Sequence, residues 1–281
     1  IFMIRSLIIN EFIKVLNKKR TYIGFILLFI LVPLIILAIG DGAEYLESQI
    51  YGQLRDSFMI VGTLTNGYLS TYLIIGILIT QMPFLSTIVA SEIFSREYSD
   101  GTFRMYLTRP ISRSKVLVSK LIIVSIYTIL LMFFFVFYTL LVSYLFLGSG
   151  DLAVFHKGLL FLSEDDIIWR FFLAYIVSTT VMLTTSFLCL MLSTMSKNSV
   201  TPIIITISVV FIGSIISFIP LQIFENMNPY LFTGYLDLFL SSFHDPVPWN
   251  TIFISFGVCT FWSLFFLIIA FIIFNRKEIL S

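Results

Sequence analysis

An all-α polytopic membrane protein with six transmembrane helices is the predicted fold class. Three observations predict it: how few residues are charged, where the charge-free runs fall, and on which side of them the basic residues gather. Of 281 residues, 12% are Asp, Glu, Lys or Arg and 58% are hydrophobic, whereas soluble domains carry about 25% charged residues. A soluble globular protein is excluded on that balance. Residues 21–40, 57–91, 121–150, 171–196, 198–224 and 246–275 contain no charge at all, and together they make 168 residues. About 20 apolar residues of helix cross a bilayer core, so each run supplies one span and none comfortably supplies two. The runs are continuously apolar and do not alternate, which rules out a membrane β-barrel as well as a disordered or collagen-like chain.

The predicted spans cover residues 21–40, 69–92, 116–147, 170–195, 200–220 and 250–274. Helices sharing one membrane can form one bundle, so residues 1–281 are assigned to a single domain. Lys and Arg are retained on the cytoplasmic side of a membrane. With the N-terminus inside, 14 of the 17 basic residues fall on that side, leaving Arg55, Lys157 and Arg170 outside, while 11 of the 16 acids fall outside. Both termini are therefore expected in the cytoplasm, and the net charge of +1 conceals a polarised molecule.

Each element has a local reason. In residues 1–20, Ile4, Leu7, Ile8, Phe12, Val15 and Leu16 recur at helical spacing opposite Asn10, Glu11, Lys14, Asn17 and Lys18, which predicts an amphipathic interfacial helix. Lys18, Lys19 and Arg20 would meet anionic lipid headgroups. The helix is either a membrane anchor alone or one whose polar face also meets a cytoplasmic partner. Its amphipathic character and scattered charge do not match a signal peptide. Pro33 and Pro83 lie inside spans one and two and should bend them. Tyr45, Leu46, Ile50, Leu54 and Phe58 predict a short surface helix between Asp41 and Gly67. Ser163 and Asp166 have capping-box spacing ahead of span four. Pro202 sits near the start of span five, where its missing donor costs little. Residues 221–249 remain rich in Phe, Leu and Tyr with several prolines, predicting a re-entrant outer region. Trp169 and Trp249 suit an interfacial belt.

Little catalytic chemistry is legible. His156 and His244 lack metal-ligand spacing, and Cys189 and Cys259 are expected at different depths, too far apart for a disulfide. The run from Gly62 to Gly67 lacks the Lys and Ser or Thr of a phosphate loop. No span carries an ionisable residue near its middle, where a proton- or sodium-coupled carrier would often place one. The hydroxyls of span four, Ser178 to Ser186, could line a cation path or serve helix packing.

Residues 93–113 form a charged elbow between spans two and three. Asp100-Gly101 is a turn signal, with Gly101 free to take positive φ. Thr102 to Thr108 then makes about two helical turns, which Pro110 stops. Ser112 can cap the next helix, which carries Lys115 and Lys120 at the interface. Phe103, Tyr106 and Leu107 would share an apolar edge open to a partner. Glu97 is expected to orient the bend through backbone donors, Arg104 or Arg113, the alternative being that these are solvated surface residues.

The order Glu97, Gly101-Thr102, Leu107, Pro110-Ile111-Ser112-Arg113 and Lys120 resembles the motif of the ABC type 2 (ABC-2) permeases, E-x3-G-T-x4-L-x2-P-x-S-R followed by a Lys at the start of span three. Asn66-Gly67 ahead of span two and the N-terminal amphipathic helix add to the likeness. The resemblance implies that the elbow is a cytoplasmic coupling helix docking into a cleft of a separate ATPase subunit. Glu97, Gly101, Thr102, Arg104, Leu107, Pro110 and Arg113 are then the ATPase-coupling residues. It implies a non-catalytic permease subunit of an ATP-driven exporter, in which two permease chains, identical or homologous, work with two ATPases. ATP and Mg would sit on the partner, with no cofactor held by this chain and no nucleic acid involved. A bacterial cytoplasmic membrane is the expected location. The other function classes in view are an ion-coupled secondary transporter and a polytopic membrane enzyme. The substrate stays open among a lipid, a peptide, a hydrophobic drug and a lipid-linked glycan.

Overall fold

The computed structural model describes residues 2–42, 65–99, 112–155 and 159–276. The surface helix expected within residues 43–64, the elbow residues 100–111 and His156 lie outside them. Among the described residues, six helices are long and apolar enough to cross a membrane: Lys19–Asp41, Gly67–Ser95, Arg113–Leu147, Glu164–Met195, Val200–Ser217 and Trp249–Arg276. The protein is a multi-pass, all-α membrane protein, apart from one small ribbon. In chain order the elements are α1 (Phe2–Leu16), α2 (Ile23–Asp41), α3 (Gly67–Leu78), α4 (Met82–Ser99), α5 (Arg113–Leu147), β1 (Leu152–Phe155), β2 (Leu159–Leu162), α6 (Glu164–Met195), α7 (Val200–Phe218), α8 (Gln222–Met227) and α9 (Trp249–Arg276).

Span one joins a 3-10 turn, Lys19–Tyr22, to α2. Leu28, Val32 and Ile36, four residues apart, are fully buried, while Phe29, Ile30 and Leu34 are more than half exposed. Both faces are apolar, as a helix between a protein core and lipid tails requires. Phe25 and Phe29 meet Tyr127, Phe134 and Tyr138 of α5 at ring separations of 5.4–6.0 Å.

Span two is broken rather than smoothly bent. A 3-10 turn at Ile79–Gln81 separates α3 from α4. Its cause is Pro83, which lacks the N–H that would bond to the Ile79 carbonyl and whose ring crowds that carbonyl. Thr87 Oγ1 and Ser86 Oγ donate instead to the Pro83 carbonyl at 2.8 and 3.2 Å.

At one end of the bundle, Asn66 caps α3. Its Oδ1 accepts from the backbone N–H groups of Tyr68 and Leu69, both at 3.0 Å, while its Nδ2 donates to the Asp151 carbonyl at 2.7 Å. Gly67 N donates to the Gly148 carbonyl at 3.0 Å. A Cβ on Gly67 would lie 2.7 Å from that oxygen and 2.8 Å from the Ser143 carbonyl. Only glycine permits this approach of two backbones. Gly148 ends α5 with φ of 73°, a conformation that glycine adopts without steric cost.

The connection from α5 to α6 contains an antiparallel ribbon, with Leu152 opposite Leu162 and Phe155 opposite Leu159. Ser163 and Ser112 occupy the N-cap positions of α6 and α5, but neither side chain makes a capping bond. Their carbonyls accept instead, from Asp166 N and from Lys115 N, each at 3.0 Å. Glu164, Asp165 and Asp166 fill the first turn of α6, where negative charge is favoured by the helix dipole.

The long α6 is the central post. Thr184 Oγ1 donates to the Cys259 carbonyl of α9 at 3.2 Å, and Ser186 Oγ and Thr128 Oγ1 of α5 are 2.9 Å apart. Ser193 Oγ donates to the Ser91 carbonyl at 2.7 Å and accepts from Phe94 N and Ser95 N. These hydroxyls fasten helices together. Cys189 and Cys259 are buried free thiols. Between α7 and α9 run α8 and 3-10 segments at Asn228–Tyr230 and Phe232–Phe243. Phe232, Tyr235, Phe239 and Phe243 are buried, and Phe239 comes close to Gly76 of α3, three turns into span two.

Candidate site: an ion-pair junction at the basic pole

The helix ends form two poles. One holds α1, the end of α4, the start of α5 and the end of α9, with most of the described lysines and arginines and with Glu11, Glu92 and Glu97; the other holds most of the remaining described acids. The N-terminal helix and the last turn of α9 both meet the first turns of α5, so the spans alternate in direction.

At the basic pole, Lys120 of α5 is fully buried. Its Nζ donates to Glu11 Oε2 at 3.0 Å and to the Ile93 carbonyl at 2.9 Å, and it lies 2.8 Å from Glu97 Oε2 as an ion pair. Two of the three donors of the ammonium are thus hydrogen-bonded, and the second carboxylate balances the charge at ion-pair distance. The charge also lies 5.2 Å from the centroid of the Phe94 ring. Lys14 bridges the other oxygens of the two acids, Glu11 Oε1 at 3.0 Å and Glu97 Oε1 at 3.1 Å. The result is a closed ring of two lysines and two glutamates drawn from α1, α4 and α5. Its charges cancel, which is what allows burial, since an isolated charge in such surroundings would be prohibitive.

A second tie lies one turn back on α4. Arg20 Nη1 is 2.6 Å from Glu92 Oε1, and Lys18 Nζ is 3.9 Å from Glu92 Oε2. A third joins α5 to α9, where Arg113 Nη1 donates to the carbonyls of Asn275 at 2.9 Å and Phe274 at 3.5 Å. Those carbonyls belong to the end of a helix, where backbone acceptors lack intrahelical donors and a cation is favoured.

Glu97 and Arg113, two of the residues singled out from sequence, therefore flank residues 100–111 and anchor both ends of that segment to the bundle. Gly101, Thr102, Arg104, Leu107 and Pro110 lie outside the described residues. Glu97 joins Lys14 and Lys120, and Arg113 turns to α9. Lys120 is not the interfacial lysine expected from sequence but the centre of the junction. Glu11, expected on the polar stripe of α1, is buried. Three arcs describe the helix better. Leu7, Glu11 and Val15, at intervals of four, are buried; Ile9, Phe12, Ile13 and Leu16 are exposed apolar residues; Asn10, Lys14 and Asn17 form the exposed polar arc. The available signal was the position of Glu11 between Leu7 and Val15 on one face.

The opposite pole is fastened differently. Arg170 of α6 is buried, and its Nη1 donates to the carbonyls of His244 at 2.7 Å and Ser242 at 3.3 Å, tying the aromatic segment to α6. Among the described residues no cluster of three metal-ligating side chains occurs. Grooves between α1, α2 and α5 and between α2 and the broken span two are lined almost wholly by apolar side chains.

Residues 7–213 match a family described as ABC-2 family transporter protein. The chain is also similar to an uncharacterised protein, YhcI, of Bacillus subtilis (strain 168), with 24% identity over 199 residues, covering 68% of this chain and 63% of that protein.

Proposed function

The chain is a member of the ABC-2 transporter family, and from that premise we propose that it is the permease subunit of an ATP-driven exporter, powered by a separate ATPase. The basic pole is cytoplasmic in this reading, following the retention of Lys and Arg on that side. The membrane is the bacterial cytoplasmic membrane. Two permease chains and two ATPase subunits form the working unit, with ATP and Mg held by the ATPases.

The observation that carries the reading is the fastening of residues 100–111 at both ends. Glu97 leads into the segment from a buried charge ring that includes α1 and α5, and Arg113 leads out of it bonded to α9. A partner that pushes on the segment moves three spans and the interfacial helix together, because a buried ion pair resists separation far more than an exposed one. Gly101, Thr102, Arg104, Leu107 and Pro110 supply the turn and the docking edge in this proposal. Glu97, Lys120 and Arg113 act as positioning residues.

The test is co-expression with candidate ABC ATPases from the same source and purification through a tag on this chain. Capture of the ATPase, with ATP hydrolysis that depends on it, is expected. Glu97→Gln should lower that capture, whereas Asp165→Ala at the other pole should not. ATP hydrolysis by the purified chain alone would overturn the proposal. Sidedness is read separately: a cysteine at Asp165 should react with an impermeant thiol reagent in intact cells and one at Asn198 should not.

A further inference from the structure

The groove between α1, α2 and α5 has a volume of about 300 Å³, at the lower end of the range for ligand sites, and its rim includes the exposed apolar residues Phe12, Leu16 and Leu130. Phe12 and Leu16 of α1, Tyr22 and Phe25 of span one, and Ile126 and Leu130 of α5 form its walls. From Ile123 to Leu130 it follows α5 for roughly 10 Å, at 1.5 Å per residue.

Apart from the exposed Tyr22 hydroxyl, its polar groups are engaged. Two hydroxyl-bearing residues deeper in the lining are already engaged: Thr21 Oγ1 donates to the Val15 carbonyl at 2.6 Å and Tyr127 Oη to the Leu85 carbonyl at 3.4 Å. An occupant must be apolar along its length inside the groove. At the mouth, the 3-10 turn Lys19–Tyr22 has three residues per turn, so the side chains at its first and fourth positions eclipse. Lys19 thus shares a face with Tyr22, which lines the groove.

The neighbouring cations are not equivalent. Lys18 and Arg20 line a small cleft on the α4 side together with Glu92, and both are paired to that carboxylate. Lys19 is exposed and has no ion-pair or hydrogen-bond partner among the described residues. The site therefore joins an apolar channel, running into the membrane, to one uncommitted cation at the interface.

We infer that this groove is a binding site for an anionic phospholipid of the leaflet at the basic pole, one acyl chain lying along α5 and the phosphate facing Lys19. Lipid tails are as apolar as the groove walls, so no hydrophobic gain selects the occupant. Shape retains the chain and charge selects the headgroup. A basic residue near an anionic surface contributes ~1 kcal/mol, or about fivefold in affinity.

The test is native mass spectrometry of the delipidated full-length chain in detergent, titrated separately with phosphatidylglycerol and phosphatidylcholine of the same acyl composition. The expected result is one preferred phosphatidylglycerol adduct, bound about fivefold more tightly than phosphatidylcholine. Lys19→Glu should abolish the preference, while Lys197→Glu, elsewhere on the same pole, should leave it. Ile126→Trp, which fills the groove, should lower retention of both lipids. Equal binding of the two lipids by the unaltered chain would overturn the proposal. So would a preference surviving Lys19→Glu, a preference lost equally in Lys197→Glu, or unchanged retention in Ile126→Trp.

Discussion

The two poles of the bundle are closed by different chemistry. At the acidic pole every closure ends on backbone: Gly67 lies against the end of α5, Asn66 caps α3 while bonding the Asp151 carbonyl, and Arg170 binds two carbonyls of the aromatic segment. At the basic pole, side chain meets side chain, in a ring of Glu11, Lys14, Glu97 and Lys120 supplied by three helices. Backbone closures hold one geometry and tolerate little displacement. Ion pairs between separate helices bind those helices into one body without fixing a backbone-to-backbone distance. In the proposed function the basic pole is the driven end and the acidic pole the fixed one.

The largest expected effect is at Lys120. Lys120→Met leaves Glu11 and Glu97 buried without their shared cation, a loss of about 3–5 kcal/mol. Thermal unfolding of the purified chain in detergent should show it. Adding Glu11→Gln and Glu97→Gln should recover much of the loss, because the uncompensated charges are gone; no recovery would mean that the ring is not the unit. Arg170→Ala should cost about 2–3 kcal/mol by removing charge-assisted bonds to two carbonyls, yet leave ATPase capture unchanged. Equal loss of capture from both variants would erase the distinction between the poles.

Gly67→Ala is expected to cost roughly 1–3 kcal/mol, since the new methyl collides with backbone that cannot rotate away. A melting temperature equal to that of the unaltered chain would show that the two helix ends are not held so closely. The smallest effect belongs to Lys14→Ala. That side chain is 44% exposed, so its loss should change stability by no more than about 1 kcal/mol, and a change comparable to that of Lys120→Met would move the centre of the ring to the surface.

The spans were legible because charge-free runs of 20 or more residues have few alternatives to a membrane helix. Their ends were less so. Span four begins at Glu164 rather than near 170, because acids are welcome in a helix's first turn and a charge-free run excludes them. The break at Ile79–Gln81 had its signal in Pro83, although sequence could not distinguish a bend from a 3-10 interruption. The ribbon at residues 152–162 is too short for periodicity to separate from a loop. Of the junction, Glu97, Arg113 and Lys120 were visible as members of a motif, but the pairing was not. Glu11 and Lys120 are 109 residues apart, and nothing local distinguishes a buried glutamate on an amphipathic helix from a solvated one.

The most direct measurement places a photo-crosslinking residue at Tyr106, on the segment between Glu97 and Arg113, and a second at Asp165 on the acidic pole, each in the chain co-expressed with the proposed ATPase partner. The account predicts a crosslink to the ATPase from position 106 that weakens in Glu97→Gln, and none from position 165. A crosslink from position 165, or its absence from position 106 while the ATPase still copurifies, would contradict it.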